Sequence, residues 1–300
     1  MKTLLTGSTG FLGKNILAHL VDQNYQVTTI GRNESNDIDF DFSANTVLNI
    51  TGSYDLIIHS AGKAHSVPKT EADKDEFYKV NVDGTKLFLD SLASLETKLK
   101  FFIFISSVAV YGLDTGINID EDFPLIAKDP YGKSKVAAEK MIINWCSQNN
   151  VLLTILRLPL LVGHGAPGNL GTMVKGIKGG YYFNVAGGKA KKSMVLVSDV
   201  VKLLPVVAKI GGTYNLTDGC HPSFKELSFS VATLLNKSNP LSIPLWIAQM
   251  MALVGDLFGN NMPINSNKLN KIISDLTFND NNARDLLNWD PEKVLKHLEI

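Results

Sequence analysis

Tyr131 and Lys135 stand four residues apart in Tyr131-Gly132-Lys133-Ser134-Lys135, just after an Asp129-Pro130 pair that reads as a helix start. On a helix, that spacing puts a phenol and an ammonium on one face. An unperturbed tyrosine titrates near ~10. Service as a base at neutral pH therefore needs about 4 kcal/mol of stabilisation of the phenolate, at about 1.36 kcal/mol per pKa unit. A neighbouring ammonium acts in that direction. Ordinary amphipathic helices also carry such pairs, so the pair alone decides nothing. A third group is Ser107, which follows Ser106 at the end of the apolar run 101–105. A hydroxyl there can hold a reacting carbonyl or hydroxyl oxygen beside the phenol, although serines at a strand end also serve as plain caps. Together Ser107, Tyr131 and Lys135 suit the movement of a proton at an oxygen while a hydride moves at the adjoining carbon.

The hydride needs a carrier, and the N-terminus offers a place for one. Gly7-Ser8-Thr9-Gly10-Phe11-Leu12-Gly13 follows a short apolar run. Glycines permit a tight turn and let a diphosphate approach the main chain. The helix opening near Phe11 aims free N–H groups and its positive dipole end at the anion. Read alone, the pattern is also that of a tight turn with glycines for packing. At the end of the second expected strand, where an acidic residue often holds both ribose hydroxyls, stands Gly31-Arg32. Arg32 can pair with a 2′-phosphate, which tilts the expectation toward NADP over NAD. The plain alternative is an Arg32 in solvent. Asp41 can accept from an adenine amine with Phe42 beside the ring, or it merely caps the next segment.

These groups need a frame. Apolar runs at 3–6, 26–30, 56–59, 101–106 and 154–158 read as buried parallel strands, and 11–23, 73–94 and 130–148 as helices between them. The alternation predicts an α/β fold with a doubly wound parallel sheet over about 1–160. From 161 to 300 the texture changes to glycine-rich and short apolar pieces. The expectation is a smaller C-terminal lobe whose chain returns to the sheet, with helices near 196–210, 223–235 and 244–258 and a strand at 212–216. The most apolar stretch, 241–254, is broken by Ser242, Pro244 and Gln249. It falls short of the ~20 residues of a bilayer span and reads as a buried helix rather than a membrane-contacting one.

The chain has 300 residues, 45% of them apolar, enough for a full core. Twenty-nine basic residues balance twenty-nine acidic ones, so no global field favours nucleic acid. Cys146 and Cys220 form neither a disulfide framework nor a metal-ligand spacing, and a reducing cytoplasm is the expected setting.

At this point the chain resembles the extended short-chain dehydrogenase/reductase family, in its nucleotide-sugar, NAD-dependent epimerase/dehydratase branch. The resemblance rests on Thr6 to Gly13, His59-Ser60-Ala61-Gly62, Asn81-Val82-Asp83-Gly84-Thr85, Ile105-Ser106-Ser107-Val108-Ala109-Val110-Tyr111-Gly112, Tyr131 to Lys135 and Arg157-Leu158-Pro159. The tail Leu286-Leu287-Asn288-Trp289-Asp290-Pro291 fits as well. It implies a Rossmann-type sheet, NAD(P) as cofactor, Tyr131 as acid/base, Lys135 as its partner and Ser107 as the substrate-oxygen ligand. For the cofactor it implies Gly7, Thr9, Gly10, Phe11, Leu12 and Gly13, with Ser60, Ala61 and Gly62 under the diphosphate and Asn81, Ser106 and Pro159 nearby.

The same resemblance implies a nucleotide-diphosphate sugar as partner, contacted by Asn169 and by Lys192, which stands where relatives carry an arginine. Lysine keeps the charge and loses the bidentate fork. His65 and His164 are candidates for the sugar pocket, whereas His59 reads as a satisfied near-core residue. The nearest group works at sugar C4, as 4-epimerases or 4-keto reductases. A 4,6-dehydratase is disfavoured because Val108-Ala109 follow Ser107. A homodimer through 73–94 and 130–148 is the family's expectation. Rival readings are a reductase of a steroid- or flavonoid-like ketone and a non-catalytic dinucleotide sensor.

Overall fold

The run Lys2–Thr6 forms β1, buried in all but its first residue. Around it lie β2 (Gln26–Gly31), β3 (Ile38–Asp39), β4 (Leu56–His59), β5 (Phe101–Ser107), β7 (Leu152–Leu158) and β11 (Gly212–Asn215). The computed structural model describes residues 1–44, 48, 50–64, 68, 70–257 and 265–300. Among the described residues these strands make one parallel sheet in the order β11-β7-β5-β4-β1-β2-β3. The order reverses beside β1, so the loops after β1 and β4 diverge and leave a crevice at their carboxyl ends. Thr6 and His59 are partners there, and the glycine turn and Ser60-Ala61-Gly62 begin side by side.

Helices cover both faces. On one side Leu12, Ile16 and Leu20 of α1 (Phe11–Asp22) and the apolar stripe of α6 (Val197–Val207) pack on the sheet, joined by Ala283 and Leu287 of α10 (Asn281–Leu287). On the other side lie Phe88 and Leu89 of α3 (Gly84–Ser91) and Ala138, Ile142 and Cys146 of α4 (Pro130–Asn149). The expected single helix 73–94 is instead a run of pieces. A capping box of Thr70 and Asp73 opens α2 (Glu71–Tyr78), a π-helical segment spans Lys79–Asp83, α3 follows, and a 3-10 turn closes at Ser94.

The chain after 160 builds a lobe beside the crevice and sends β11 back to the sheet edge. Small pairs join β8 (Leu160–Val162) to β10 (Met194–Leu196), β9 (Asn184–Val185) to β12 (Ser242–Ile243) and β6 (Gly116–Ile119) to β13 (Leu276–Phe278). Helices α5 (Gly168–Lys178) and α7 (Phe224–Leu234) share a core of Leu170, Met173, Leu227 and Val231. The helix α8 (Leu245–Leu257) corrects the sequence expectation for 241–254. It forms, but it is not buried. Its small residues Ala248, Ala252 and Gly255 face α9 (Ser266–Ile273), while its large apolar side chains face outward.

Candidate active site

One cleft at the carboxyl ends of β1, β4 and β5 is lined by Gly7, Gly10, Phe11, Leu12 and Gly13 on one wall. Ser106, Ser107, Tyr131, Lys135 and Pro159 line the other, and Ser60, Ala61 and Gly62 lie between. The sequence pattern folds this way because Gly7 takes φ +74°, which reverses the chain after β1. A Cβ at Gly7 would sit 2.7 Å from the Ala61 nitrogen, and one at Gly13 would collide with the Gly7 carbonyl. The first N–H groups of α1, which no helical carbonyl can serve, thus reach the cleft with no side chain in the way. This is a cradle for an anionic diphosphate, and the expected cofactor fits it.

The catalytic candidates come from two elements. Asp129 caps α4 by accepting from the Gly132 N–H at 3.0 Å, with Pro130 in the first turn. Tyr131 and Lys135 therefore share one helix face over the end of β5. Ser107 closes β5, its hydroxyl accepting from the Ala109 N–H at 3.2 Å and bonding with the Tyr131 phenol. The expected lowering of the phenol's pKa is reversed in the protein alone. Burial raises it, the Ser107 hydroxyl opposes that, and the Asp129 charge adds to it. Lys135 is occupied elsewhere: its ammonium donates to the Ile105 carbonyl at 2.7 Å and lies 4.0 Å from the Phe104 ring centre. Burial pulls Lys135 down to about 7, against the raising effect of the Glu139 carboxylate.

Glu139, one further turn along α4, escaped the sequence reading although it sits four residues beyond Lys135. It is fully buried and takes a bidentate contact from Arg157 at the end of β7, at 2.8 and 3.2 Å. It also accepts from the Ser106 hydroxyl. Arg157 continues to the Tyr111 phenol at 3.1 Å, Tyr111 donates to Asn215 of β11 at 2.7 Å, and the Asn215 N–H reaches Glu121. A Glu followed by an Arg eighteen residues later carries no local periodicity, so spacing could not have signalled the pair.

Other expected residues sit at varied distances from the cleft. Asn81 does not line it. From the π-helical segment its side chain donates to the Lys63 carbonyl and the Ser134 hydroxyl and accepts from the Lys63 N–H, tying the Ser60–Gly62 loop to α4. Phe42 is not poised for an adenine ring, because it is buried against Phe40, His59 and Phe88. Asp41 caps locally, accepting from the Ser43 N–H and hydroxyl at 2.8 and 2.7 Å. Arg32 and Thr9 are exposed and are not among the residues that line the cleft. His65 lies outside the described residues. Asn169 is exposed on the first turn of α5 and lines neither the cleft nor the groove beside it, which share Pro167. Lys192 is half-buried between Asp275 and Asp114, its pKa lowered chiefly by burial. His164 contacts the Ile300 carbonyl at 2.9 Å.

His59 is the satisfied core residue expected of it, held by Thr6 and Thr85 hydroxyls at 2.8 and 3.0 Å between the Phe88 and Phe104 rings. Burial, aided by the Lys135 charge, lowers its pKa to about 3. The unfolded chain binds this proton near ~6.5, so stability falls as pH drops from there toward 3, by up to about 1.36 kcal/mol per pH unit. The Lys135 effect lies in a higher window, above about 7, and does not contribute to this slope. His59→Asn is expected to flatten the slope in urea titrations across that interval. An unchanged slope would assign the acid sensitivity to another group.

A family model described as the NAD dependent epimerase/dehydratase family matches residues 3–216. A UDP-glucose 4-epimerase of Vibrio cholerae is 26% identical, covering 98% of this chain and 92% of its own. An N-acetyl-alpha-D-glucosaminyl-diphospho-ditrans,octacis-undecaprenol 4-epimerase of Escherichia coli O157:H7 is 30% identical over 79% of this chain and 73% of its own. Among solved structures, the UDP-glucose 4-epimerase of Thermotoga maritima with UDP-glucose has the same fold at a TM-score of 0.75 and 18% identity, covering 99% and 96% of the two chains. The cradle of Gly7–Gly13, the trio at the end of β5 and the match across 3–216 lead to one assignment: this chain is a member of the NAD dependent epimerase/dehydratase family, an NAD(P)-dependent enzyme of the extended short-chain dehydrogenase/reductase type.

Proposed function

We propose that the protein interconverts epimers at C4 of a sugar borne on a diphosphate. The observation that carries this reading is the convergence of Ser107, Tyr131 and Lys135 on the wall facing the glycine cradle. The relatives that are 4-epimerases by name support the choice of sugar and of C4. When bound, the nicotinamide ring supplies the hydride acceptor and donor and, when oxidised, a positive charge near the phenol.

The chain's own residues handle the oxygen. Ser107 holds the sugar O4 by a hydrogen bond, and Tyr131 takes the O4 proton as the C4–H bond breaks. After the 4-keto sugar turns over in the pocket, Tyr131 returns the proton to O4. In the protein alone burial raises the Tyr131 phenol; the positive charge of an oxidised nicotinamide in the cleft would act the other way, toward the phenolate that accepts the O4 proton. Lys135, bonded to the Ile105 carbonyl, and Ser106, bonded to Glu139, brace the end of β5 and would face the cofactor ribose from the cleft wall. Asn169 and Lys192 are the proposed contacts for the diphosphate, with a nucleotide as the carrier. A homodimer through α2, α3 and α4 is part of the same reading.

The 4-keto reductase reading uses the same residues and has one observation of its own. Arg32 is exposed at the end of β2, where a carboxylate would favour NAD. One assay separates the two. The dinucleotide retained through purification is identified, UDP-sugars are offered without added reductant, and a UDP-4-keto sugar is offered with NADPH or with NADH. Epimerisation with tightly held NAD supports the C4 epimerase. A requirement for NADPH, weakened far more than that for NADH by Arg32→Ala, supports the reductase. Absence of both reactions overturns C4 chemistry on a nucleotide-borne sugar.

A further inference from the structure

The helix α8 inverts the pattern of a surface helix. An exposed helix normally turns its large apolar residues inward. Here Ala248, Ala252 and Gly255 face inward onto Leu269 and Ile273, and Trp246, Met250, Leu253, Val254 and Leu257 face out. Trp246 and Leu253 are each 63% exposed and Leu257 is 84% exposed. The apolar surface continues across the β9/β12 pair, where Leu241 is 72% and Tyr181 65% exposed and Phe183 is also open. So large a patch marks a surface that another phase or molecule covers.

Charge distinguishes the occupants. From 161 to 275 the chain carries eleven lysines and no arginine against five acidic residues, although the whole chain is neutral. Elements packed on α8 carry part of that excess, with Lys268 and Lys271 on α9 and exposed Lys189 after the 3-10 turn at Ala186–Gly188, against the carboxylates of Asp256 on α8 and Asp275 after α9. Lys271 pairs with Asp114. The one charged residue of α8, Asp256, is bonded to Ser266. A second copy docked by two-fold symmetry would set these lysines against their own copies, which like charge disfavours. An anionic bilayer matches both the apolar face and the lysines beside it. A helix of thirteen residues is too short to span and long enough to lie in the interface.

We propose that α8 and the β9/β12 corner seat this protein on an anionic phospholipid bilayer, where the cleft meets diphosphate sugars carried on a membrane lipid. The first half stands on the surface itself. The second rests on the C4 reading above and on the likeness to a 4-epimerase named for a diphospho-undecaprenol sugar, and it changes the carrier from a nucleotide to a lipid.

The test is co-sedimentation of the full chain with vesicles of phosphatidylethanolamine and phosphatidylglycerol, beside vesicles of phosphatidylcholine alone. The protein is expected to pellet with the anionic vesicles and to be released by high salt. The double variant Trp246→Ser, Leu253→Ser is expected to bind them at least about tenfold more weakly, since two apolar side chains no longer leave water. Its turnover of a water-soluble UDP-sugar stays as in the parent, while turnover of a polyprenyl-diphosphate N-acetylhexosamine in the vesicles falls.

A parent protein that stays in the supernatant with both vesicles overturns the docking. So does a double variant that binds like the parent. A parent dimer in sedimentation velocity that the double variant splits, without vesicle binding, gives the face to a second copy. Vesicle binding with no turnover of either sugar overturns the C4 reading and leaves the docking intact. Turnover of the UDP-sugar alone by the vesicle-bound protein overturns the lipid carrier.

Discussion

Tyr131→Phe is expected to lower kcat by about a thousandfold or more while dinucleotide binding and thermal stability stay close to the parent's. The change removes one hydroxyl whose bonded partner is the Ser107 hydroxyl. The ring, 6.0 Å from Phe77 between centres, keeps its packing. Nothing in the glycine cradle depends on the phenol, so a bound dinucleotide should titrate as before by fluorescence. What is lost is the proton route to the reacting oxygen. Ser107 cannot replace it, because Lys135, the one other proton carrier of the trio, is held on the Ile105 carbonyl. Turnover within tenfold of the parent would take Tyr131 out of the chemistry and reopen the reading as a dinucleotide sensor.

Glu139→Gln carries the second large effect, this time on stability. The carboxylate is fully buried and meets Arg157 through both oxygens. Removing its charge leaves a guanidinium buried without a counter-ion, which costs about 3–5 kcal/mol in such pairs. The midpoint of urea unfolding should fall accordingly. Replacing both partners, as in Glu139→Leu with Arg157→Met, should recover much of that loss, because the desolvation of both charges disappears together. A single variant as stable as the parent would show that water reaches Arg157 and that the pair is not sealed. Recovery of stability without recovery of activity in the double variant would mark the pair as the support that holds Ser106 and the turn of Lys135 in register with the cleft.

Much of the site was legible because it depends on local geometry. Glycines at 7, 10 and 13 after an apolar run can do few things, and an i, i+4 pair behind Asp129-Pro130 fixes a helix face. The strands of the sheet were legible because two-sided burial leaves continuous apolar runs, and 56–59 coincides with β4 to the residue. What could not be read depends on partners distant in sequence. The family resemblance points Asn81 toward the cofactor, and its place in the chain points Phe42 there, but whether such a side chain reaches the cleft is decided by Lys63, Ser134 and the Phe88 cluster. The ammonium of Lys135 was expected beside the phenol, and the carbonyl of Ile105 holds it instead. The stretch 241–254 was expected inside because it is apolar. Its small residues, not its large ones, turned out to make the contacts, and hydropathy does not distinguish the two faces.

The π-helical segment at Lys79–Asp83 has a consequence for how this chain tolerates change in length. Its wider winding takes in one residue more than an α-helix of the same rise would hold. Each residue advances a helix by about 100°, so that extra residue sets the phase between α2 and α3. Thr85, which bonds both Asn81 and His59, and Asn81, which ties down the loop at Lys63, are in phase with their targets only while the extra residue remains. A one-residue deletion anywhere between 79 and 83 would preserve composition and helicity and still rotate one anchor away from its mark. Among descendants of this sequence, substitutions in that segment are therefore compatible with the site in a way that gaps are not.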